Sequence, residues 1–477
     1  MMDQTYTDTA HLLRRAGFGA DPETVKAAAA AGLAATTDSL LHPERTPDTL
    51  NDSAFIDSLA SLLPEPKNGG LPMQAVRMWW AHRMVASPRP LEERMTLFWH
   101  GHFTSKDGNA RGDLLRRQNQ LFRRHALGNF RTLTLAVSQD PEMLRYLNGN
   151  QNYKDHPNEN YGRELMELFT CGIGSYTEDD VKAAARAFSG WNLRRDDFRF
   201  NPAQHDNTLK TFMGKTGNWN GDDIVEMLVA HPATARRLCT QLFTQFGYPN
   251  PEPAVLDALI QTYYASGYDI RAVMSRILHS EAFYSPKARF AVIKSPALYV
   301  TGTVRMLGMA KALELPAAEI TPANDMAANP AAPPVLTPLA GKRRAIGRRI
   351  GVLAGLPTAM RSMGQELFAP PTVKGWDGGE AWINTSTLLA RVAFADQVSR
   401  SRYLLGGEPP RLTGYLRQNN LTPEAFVDLL AYRLGPLPLS PATRQTLVDY
   451  VNGPGLLEDR LRGVLPLLMA TPEYQVC

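Results

Sequence analysis

The stretch NENYGRELMELFTCGIGSYTEDDVKAAARAFSGW, residues 158–191, decides the fold class. Asn158 follows Pro157 and reads as an N-cap, and Glu159 suits the positive end of a helix dipole. The helix they open is expected to run to about Cys171. Leu165, Met166, Leu168 and Phe169 occupy several of its sides, so it should be buried on most of them. Thr177-Glu178-Asp179-Asp180 opens a second helix, whose apolar residues are Val181, Ala184, Ala185 and Phe188. The same grammar recurs outward in both directions. Asp21-Pro22-Glu23 starts a helix that Gly32 stops. A helix from Pro90 carries the stripe Leu91, Met95 and Phe98. Others are expected over Arg111–Leu127, Asp222–Ala230 and Ala233–Phe246. Only about 194–220 departs, with Phe198, Phe200, Phe212 and Trp219 set among Asp, Asn, Gly and Lys. It reads as irregular, with a short hairpin. The expected fold is therefore mainly α, a large multi-helix globular fold with a C-terminal helical extension.

An Ala/Pro-rich stretch (AANPAAPPVLTP) cannot continue a helix, because proline lacks the donor and clashes with the preceding turn. It divides the chain into a main helical part, 1–315, a loop or linker, 316–338, and a C-terminal helical part, 339–477, packed on the first. A loose pattern also recurs: an apolar helix, a small polar residue, an acid or proline, then an aromatic or Met. It occurs as RAVMSRILHSEAFYSP (271–286), RLRGVLPLLMATPEYQ (460–475) and, more weakly, RTLTLAVSQDPEMLRYL (131–147). Without a fixed period this is a helix-pair repeat at most, and not a solenoid.

The 477 residues are 44% hydrophobic and 21% charged, the mix of a packed globular chain. The net charge of +4 neither demands nor excludes a nucleic-acid partner. Cys171, Cys239 and Cys477 are odd in number and far apart, which argues against a disulfide framework or a zinc finger. Arg14-Arg15 invites a twin-arginine export reading, but Asp21, Glu23 and Lys26 follow where an apolar core is needed. The expectation is a cytoplasmic location. No run of about 18 apolar residues occurs, so no membrane span is expected.

The chemistry concentrates between Trp99 and His205. If the helix from Pro90 continues through Gly101, His102 joins the Leu91–Met95–Phe98 stripe and His100 points away. If the chain extends there, the two histidines share one side as a metal-ligand pair. On the next helix Asn160, Glu164, Glu167 and Cys171 are expected in one narrow strip. Two carboxylates three positions apart repel, and burying both requires a cation. A metal, an internal arginine (Arg163 with Arg145 or Arg186), or a substrate amine could serve. Gln204-His205-Asp206 adds a possible ligand or general base. This mixed N/O set suits zinc, iron or manganese better than a thiolate site would, although no H-E-x-x-H or Glu-x-x-His spacing is present. Two basic clusters remain. One holds Arg111, Arg116, Arg117, Arg123, Arg124 and Arg131 with His125, and the other holds Lys342, Arg343, Arg344, Arg348 and Arg349. Neither has interleaved aromatics for base stacking, so nucleic acid is not the expected partner. Phosphate-loop, G-x-S-x-G and dinucleotide fingerprints are missing.

These segments resemble the bacterial proteins grouped as "domain of unknown function 1800". The similarity is carried by HLLRRAGFGA (11–20), LFWHGHFTSK (97–106), residues 158–191 and HDNTLKTFMGKTG (205–217). In the second half KSPALYV, LFAPPTVKGWDGGEAWINTSTLLAR and MATPEYQ fit in the same order. The resemblance implies a helical fold with no assigned biochemical function. It also implies frequent export and a sulfatase-like protein encoded nearby as a possible partner. The family pattern falls on His100, His102, Asn158, Glu159, Asn160, Arg163, Glu164, Glu167, His205 and Asp206. The leading expectation is a polar pocket with Glu164, Glu167 and His205 as acid/base groups. Asn158, Asn160 and Arg163 would hold an anionic substrate, and His100, His102, Glu164 and Glu167 a divalent metal. The rivals are a scaffold or envelope-associated protein with a buried structural Arg–Glu–His network, and nucleic-acid binding through the arginines.

Overall fold

The computed structural model describes residues 3–50, 52–67, 69–106, 112–313, 338–406 and 411–477. Its first half holds α1 (Gln4–Ala16), α2 (Pro22–Ala31), α3 (Leu33–Leu41), α4 (Asp52–Ala60), α5 (Met73–Ala86), α6 (Pro90–His102), α7 (Gly112–Arg124), α8 (Phe130–Ser138) and α9 (Pro141–Tyr146). Then come α10 (Asn160–Glu164), which runs straight into a π-helical turn (Leu165–Phe169), and α11 (Glu178–Ala187). Caps explain the boundaries. Asp21 accepts from the amides of Glu23 and Thr24 to start α2, and Gly32 ends it at φ 95°. Thr177 and Asp180 form a reciprocal capping box on α11.

The irregular region resolves into two small antiparallel hairpins, β1 (Trp191–Arg194) with β2 (Asp197–Phe200) and β3 (Lys210–Phe212) with β4 (Lys215–Gly217). Helices resume as α12 (Gly221–Ala230), α13 (Pro232–Phe246), α14 (Pro253–Ala265), α15 (Ile270–Leu278), α16 (Glu281–Tyr284) and α17 (Pro296–Met306). The C-terminal part comprises α18 (Pro338–Ser362), α19 (Thr385–Ser399), α20 (Leu412–Gln418), α21 (Pro423–Arg433), α22 (Pro441–Asn452), α23 (Leu457–Ala470) and α24 (Pro472–Gln475). The fold is mainly α. Arg111 and all of the expected linker except Pro338 lie outside the described residues.

Two hydrophobic cores organise these elements. One gathers α1, α2, α3, α7–α16 and one face of α6, through Leu91, Met95, Trp99 and Phe103. The other gathers the C-terminal helices with α4, α5 and α17. Residues 52–86 and 296–306 thus share a core with the C-terminal part, and Leu97 on the opposite face of α6 joins them. The segment 475–477 closes this arrangement by pairing with 292–294: Lys294 N–H donates to Gln475 O (2.8 Å) and Cys477 N–H to Val292 O (2.9 Å).

The recurring sequence pattern has a structural counterpart. In all three places a helix ends, one or two residues intervene, and a short helix follows: α8–α9, α15–α16 and α23–α24. Two of the copies extend upstream into four-helix units, α13–α16 and α21–α24. FGYPNPEPAV (246–255) aligns without a gap on LGPLPLSPAT (434–443). The buried positions Leu238, Cys239, Leu242 and Phe246 then fall on buried Phe426, Val427, Leu430 and Leu434. The adjacent arginines of α1 divide between the two copies. Arg15 donates to the carbonyls of Phe246 (3.0 Å) and Gly247 (2.7 Å), and Arg14 to that of Gly435 (3.0 Å). Gly247 and Gly435 are equivalent positions, so this pair ties the two copies together across α1.

Candidate functional site

Helix α6 continues through Gly101, and this separates the two histidines. His100 is 1% exposed and packs among Trp80, Phe368 and Trp376. Its Nε2 accepts from the amide of Phe368 (3.2 Å), and burial pushes its pKa down to about 3. His102 turns to the other core among Phe98, Trp99 and Phe103. Its Nε2 hydrogen-bonds the carbonyl of Phe169 (2.9 Å), and burial lowers its pKa to about 4. Both rings are therefore neutral near pH 7, and His102 carries its proton on Nε2 in order to donate.

That carbonyl belongs to the π turn. A π turn leaves carbonyls without the usual partner four residues on, and such turns concentrate at functional sites. Here nearly every one is met. Thr170 Oγ1 donates to Leu165 O (2.6 Å), and Gly172 N–H (2.8 Å) to Met166 O. Arg237 donates to Leu168 O (3.1 Å) and His102 to Phe169 O. The expected single strip of Asn160, Glu164, Glu167 and Cys171 is correspondingly distorted, because the α rise stops at Glu164. Asn158 does not cap the helix at the expected position. It forms a local turn instead, its Oδ1 accepting from Asn160 N–H (3.0 Å), while the N-cap is Glu159.

Glu164 ends α10 and Glu167 lies on the π turn, both half-buried. The three arginines considered as their partners are engaged elsewhere. Arg163 holds Glu159 (3.0 Å) and Glu178 (2.7 Å), Arg145 holds Asp196 (2.7 Å), and Arg186 holds Asp206 (2.7 Å). Glu167 accepts from the Tyr176 hydroxyl (3.1 Å). Burial, and next the negative charge of Glu167, raise the Glu164 pKa above the ordinary carboxyl range. Burial and the charge of Glu164 likewise raise that of Tyr146. The two carboxylates thus share a patch with two phenols and form no ion pair among the described residues.

His205 lies elsewhere, on the Ser189–Gly190 turn after α11, where Nδ1 hydrogen-bonds Ser189 O (2.8 Å). The turn needs glycine. Gly190 has φ 80°, and a Cβ there would sit 2.6 Å from Asn201 O. Among the described residues no three His, Cys, Asp or Glu side chains could hold one ion together. The set His100, His102, Glu164 and Glu167 is not gathered at one point, because residues two apart on a continuous helix face opposite ways.

Tyr146, Tyr176 and Arg237 complete the patch and were not anticipated from the sequence. Each reaches it from a separate element with no fixed spacing, so the residue pattern of 158–171 does not point to them. Several arginines of the first basic cluster are neutralised: Arg117 by Asp197 (2.8 Å), Arg123 by Glu93 (2.6 Å) and Arg131 by Glu226. The side chains of Lys342, Arg343 and Arg344 lie outside the described residues. No helix among the described residues is long and apolar enough to cross a membrane. No curated protein and no solved structure matches the chain. Residues 11–476 match the profile of the family described as "Protein of unknown function (DUF1800)", and the chain belongs to that family.

Proposed function

We propose that the surface carried by residues 158–178 is a ligand site in which Glu164 and Glu167 receive a cationic group. Glu164, its proton affinity raised by burial and by the charge of Glu167, would exchange a proton with it. The observation that carries this reading is a half-buried pair of carboxylates with no paired cation, at a π turn whose backbone is fixed by His102, Thr170 and Arg237. With Arg163 held by Glu159 and Glu178, and Arg237 donating to the Leu168 carbonyl, neither arginine ion-pairs with the two carboxylates, and this favours a cation over an anionic substrate. Two carboxylates flanked by phenols suit an organic ammonium better than tightly held zinc, iron or manganese, which favour imidazole or further carboxylate ligands. Asn158 and Asn160 flank the pair and would orient the ligand.

The second reading is a scaffold or envelope-associated protein without catalysis. The backbone bonds of His100, His102 and His205 favour it. Titration calorimetry with butylamine, and separately with manganese or zinc, separates the readings when repeated on Glu164→Gln and Glu167→Gln. The site reading expects amine binding that either substitution abolishes, with melting temperature kept or raised, since like-charge repulsion is relieved. Metal binding in place of amine binding, lost in the same variants, would identify the cation as an ion. No binding of either cation, with strong destabilisation by both substitutions, would establish the structural network instead.

A further inference from the structure

The duplication lets one four-helix unit serve as the control for the other. In the first copy a groove of about 660 Å³ opens between α14 and the α15–α16 corner. That volume lies in the roughly 300–1,000 Å³ range of small-molecule sites. Its floor is Phe243, Val255, Leu259 and Ile277, and its rim carries Glu252, Arg276, His279 and Glu281. The gapless alignment sets Val255 on Thr443, and the shared corner sets Ala282 on Glu473. In the second copy those two residues meet across the cleft, Thr443 Oγ1 donating to Glu473 Oε1 (3.5 Å). In the first copy Val255 and Ala282 both line the groove, and neither has a polar group with which to bridge it. The side chains that bridge the cleft in the second copy are thus replaced in the first by two that leave it unbridged.

The rim is mixed in charge. Glu252 is occupied by the Tyr248 hydroxyl (2.5 Å) and by Lys287 (2.6 Å). His279 uses Nδ1 on Ser275 O (2.9 Å). Arg276 and Glu281 form no ion pair or side-chain hydrogen bond among the described residues. One free cation and one free anion thus border an apolar floor. We propose that this groove binds a small zwitterion with an apolar body, of the class of the aliphatic and aromatic amino acids. The apolar part lies on Phe243, Val255, Leu259 and Ile277, the carboxylate meets Arg276, and the ammonium meets Glu281.

Saturation-transfer NMR on the whole chain tests this. The probes are L-phenylalanine, L-leucine, phenethylamine (no carboxylate) and 3-phenylpropionate (no ammonium). Both amino acids should bind, and each singly charged analogue on the order of ten-fold more weakly than phenylalanine. Ala282→Glu, which installs the second copy's residue, should abolish binding. Arg276→Gln, at an exposed position that the fold does not need, should remove the preference for phenylalanine over phenethylamine. Binding of neither amino acid, equal binding of phenylalanine and its analogues, or binding untouched by both substitutions would overturn the proposal.

Discussion

Glu93 shows at the residue scale how this chain handles a buried charge. It is 0% exposed, and its Oε1 accepts from both Arg83 (2.7 Å) and Arg123 (2.6 Å). Those guanidiniums outweigh the cost of burial and hold its pKa down at about 2. Glu93→Gln would leave two buried arginines short of their counter-charge, so a loss of about 3–5 kcal/mol is expected in urea unfolding. Neighbouring Glu92, whose burial raises its pKa to about 7, should tolerate Gln far better. The buried histidines set the acid limit. His100 and His82 are held neutral by burial, with pKa values of about 3 and about 4 against an ordinary 6.5. As pH falls below 6.5 the unfolded chain takes up these protons first. Stability should therefore be complete above that value and fall towards pH 4, by roughly 1.4 kcal/mol per pH unit for each histidine. Melting temperatures measured from pH 7 to pH 4 check this. A flat profile would mean that these rings are accessible to protons in the folded state.

At the scale of elements the π turn is the informative piece. Its carbonyls are satisfied from four separate places, which makes it rigid rather than frayed. Gly172 carries φ 82°, and a Cβ there would lie 3.3 Å from an Arg237 nitrogen. Gly172→Ala should cost about 1–3 kcal/mol and disturb the Glu164–Glu167 patch, seen as weaker amine binding. Gly375 is tighter, with φ 93° and its added Cβ 2.8 Å from Gly101 O. There the loop 370–379 presses on the end of α6, and Gly375→Ala should loosen both. The helices themselves were legible: proline at the first turn, an Asp or Thr cap and 3.6-residue spacing recover α2, α6, α11, α12 and α13 within a residue or two. The π turn was not legible. Its residues, LMELF, are ordinary helix formers, and two of the groups that meet its carbonyls, His102 and Arg237, lie far away in sequence.

For the whole molecule the two four-helix copies and the arginine pair make a specific expectation. Arg15→Met removes bonds to the Phe246–Gly247 turn, and Arg14→Met removes the one to Gly435. Hydrogen exchange should rise in the 242–248 region for the first variant and in 430–436 for the second. Uniform acceleration in both would show that α1 supports the two cores as one body. Both arginine side chains are buried in this arrangement, 6% and 1% exposed.

The sequence by itself determined the α class, the boundaries of several helices, the repeated helix corner and the family, because these rest on local capping, periodicity and residue order. Tertiary structure alone decided that His100 and His102 serve different cores. It also decided that Arg163, Arg145 and Arg186 are committed away from Glu164 and Glu167, and that α4, α5 and α17 join the C-terminal helices. Each of those outcomes depends on which surfaces meet, and side-chain spacing along one chain carries no information about the partner waiting across the core.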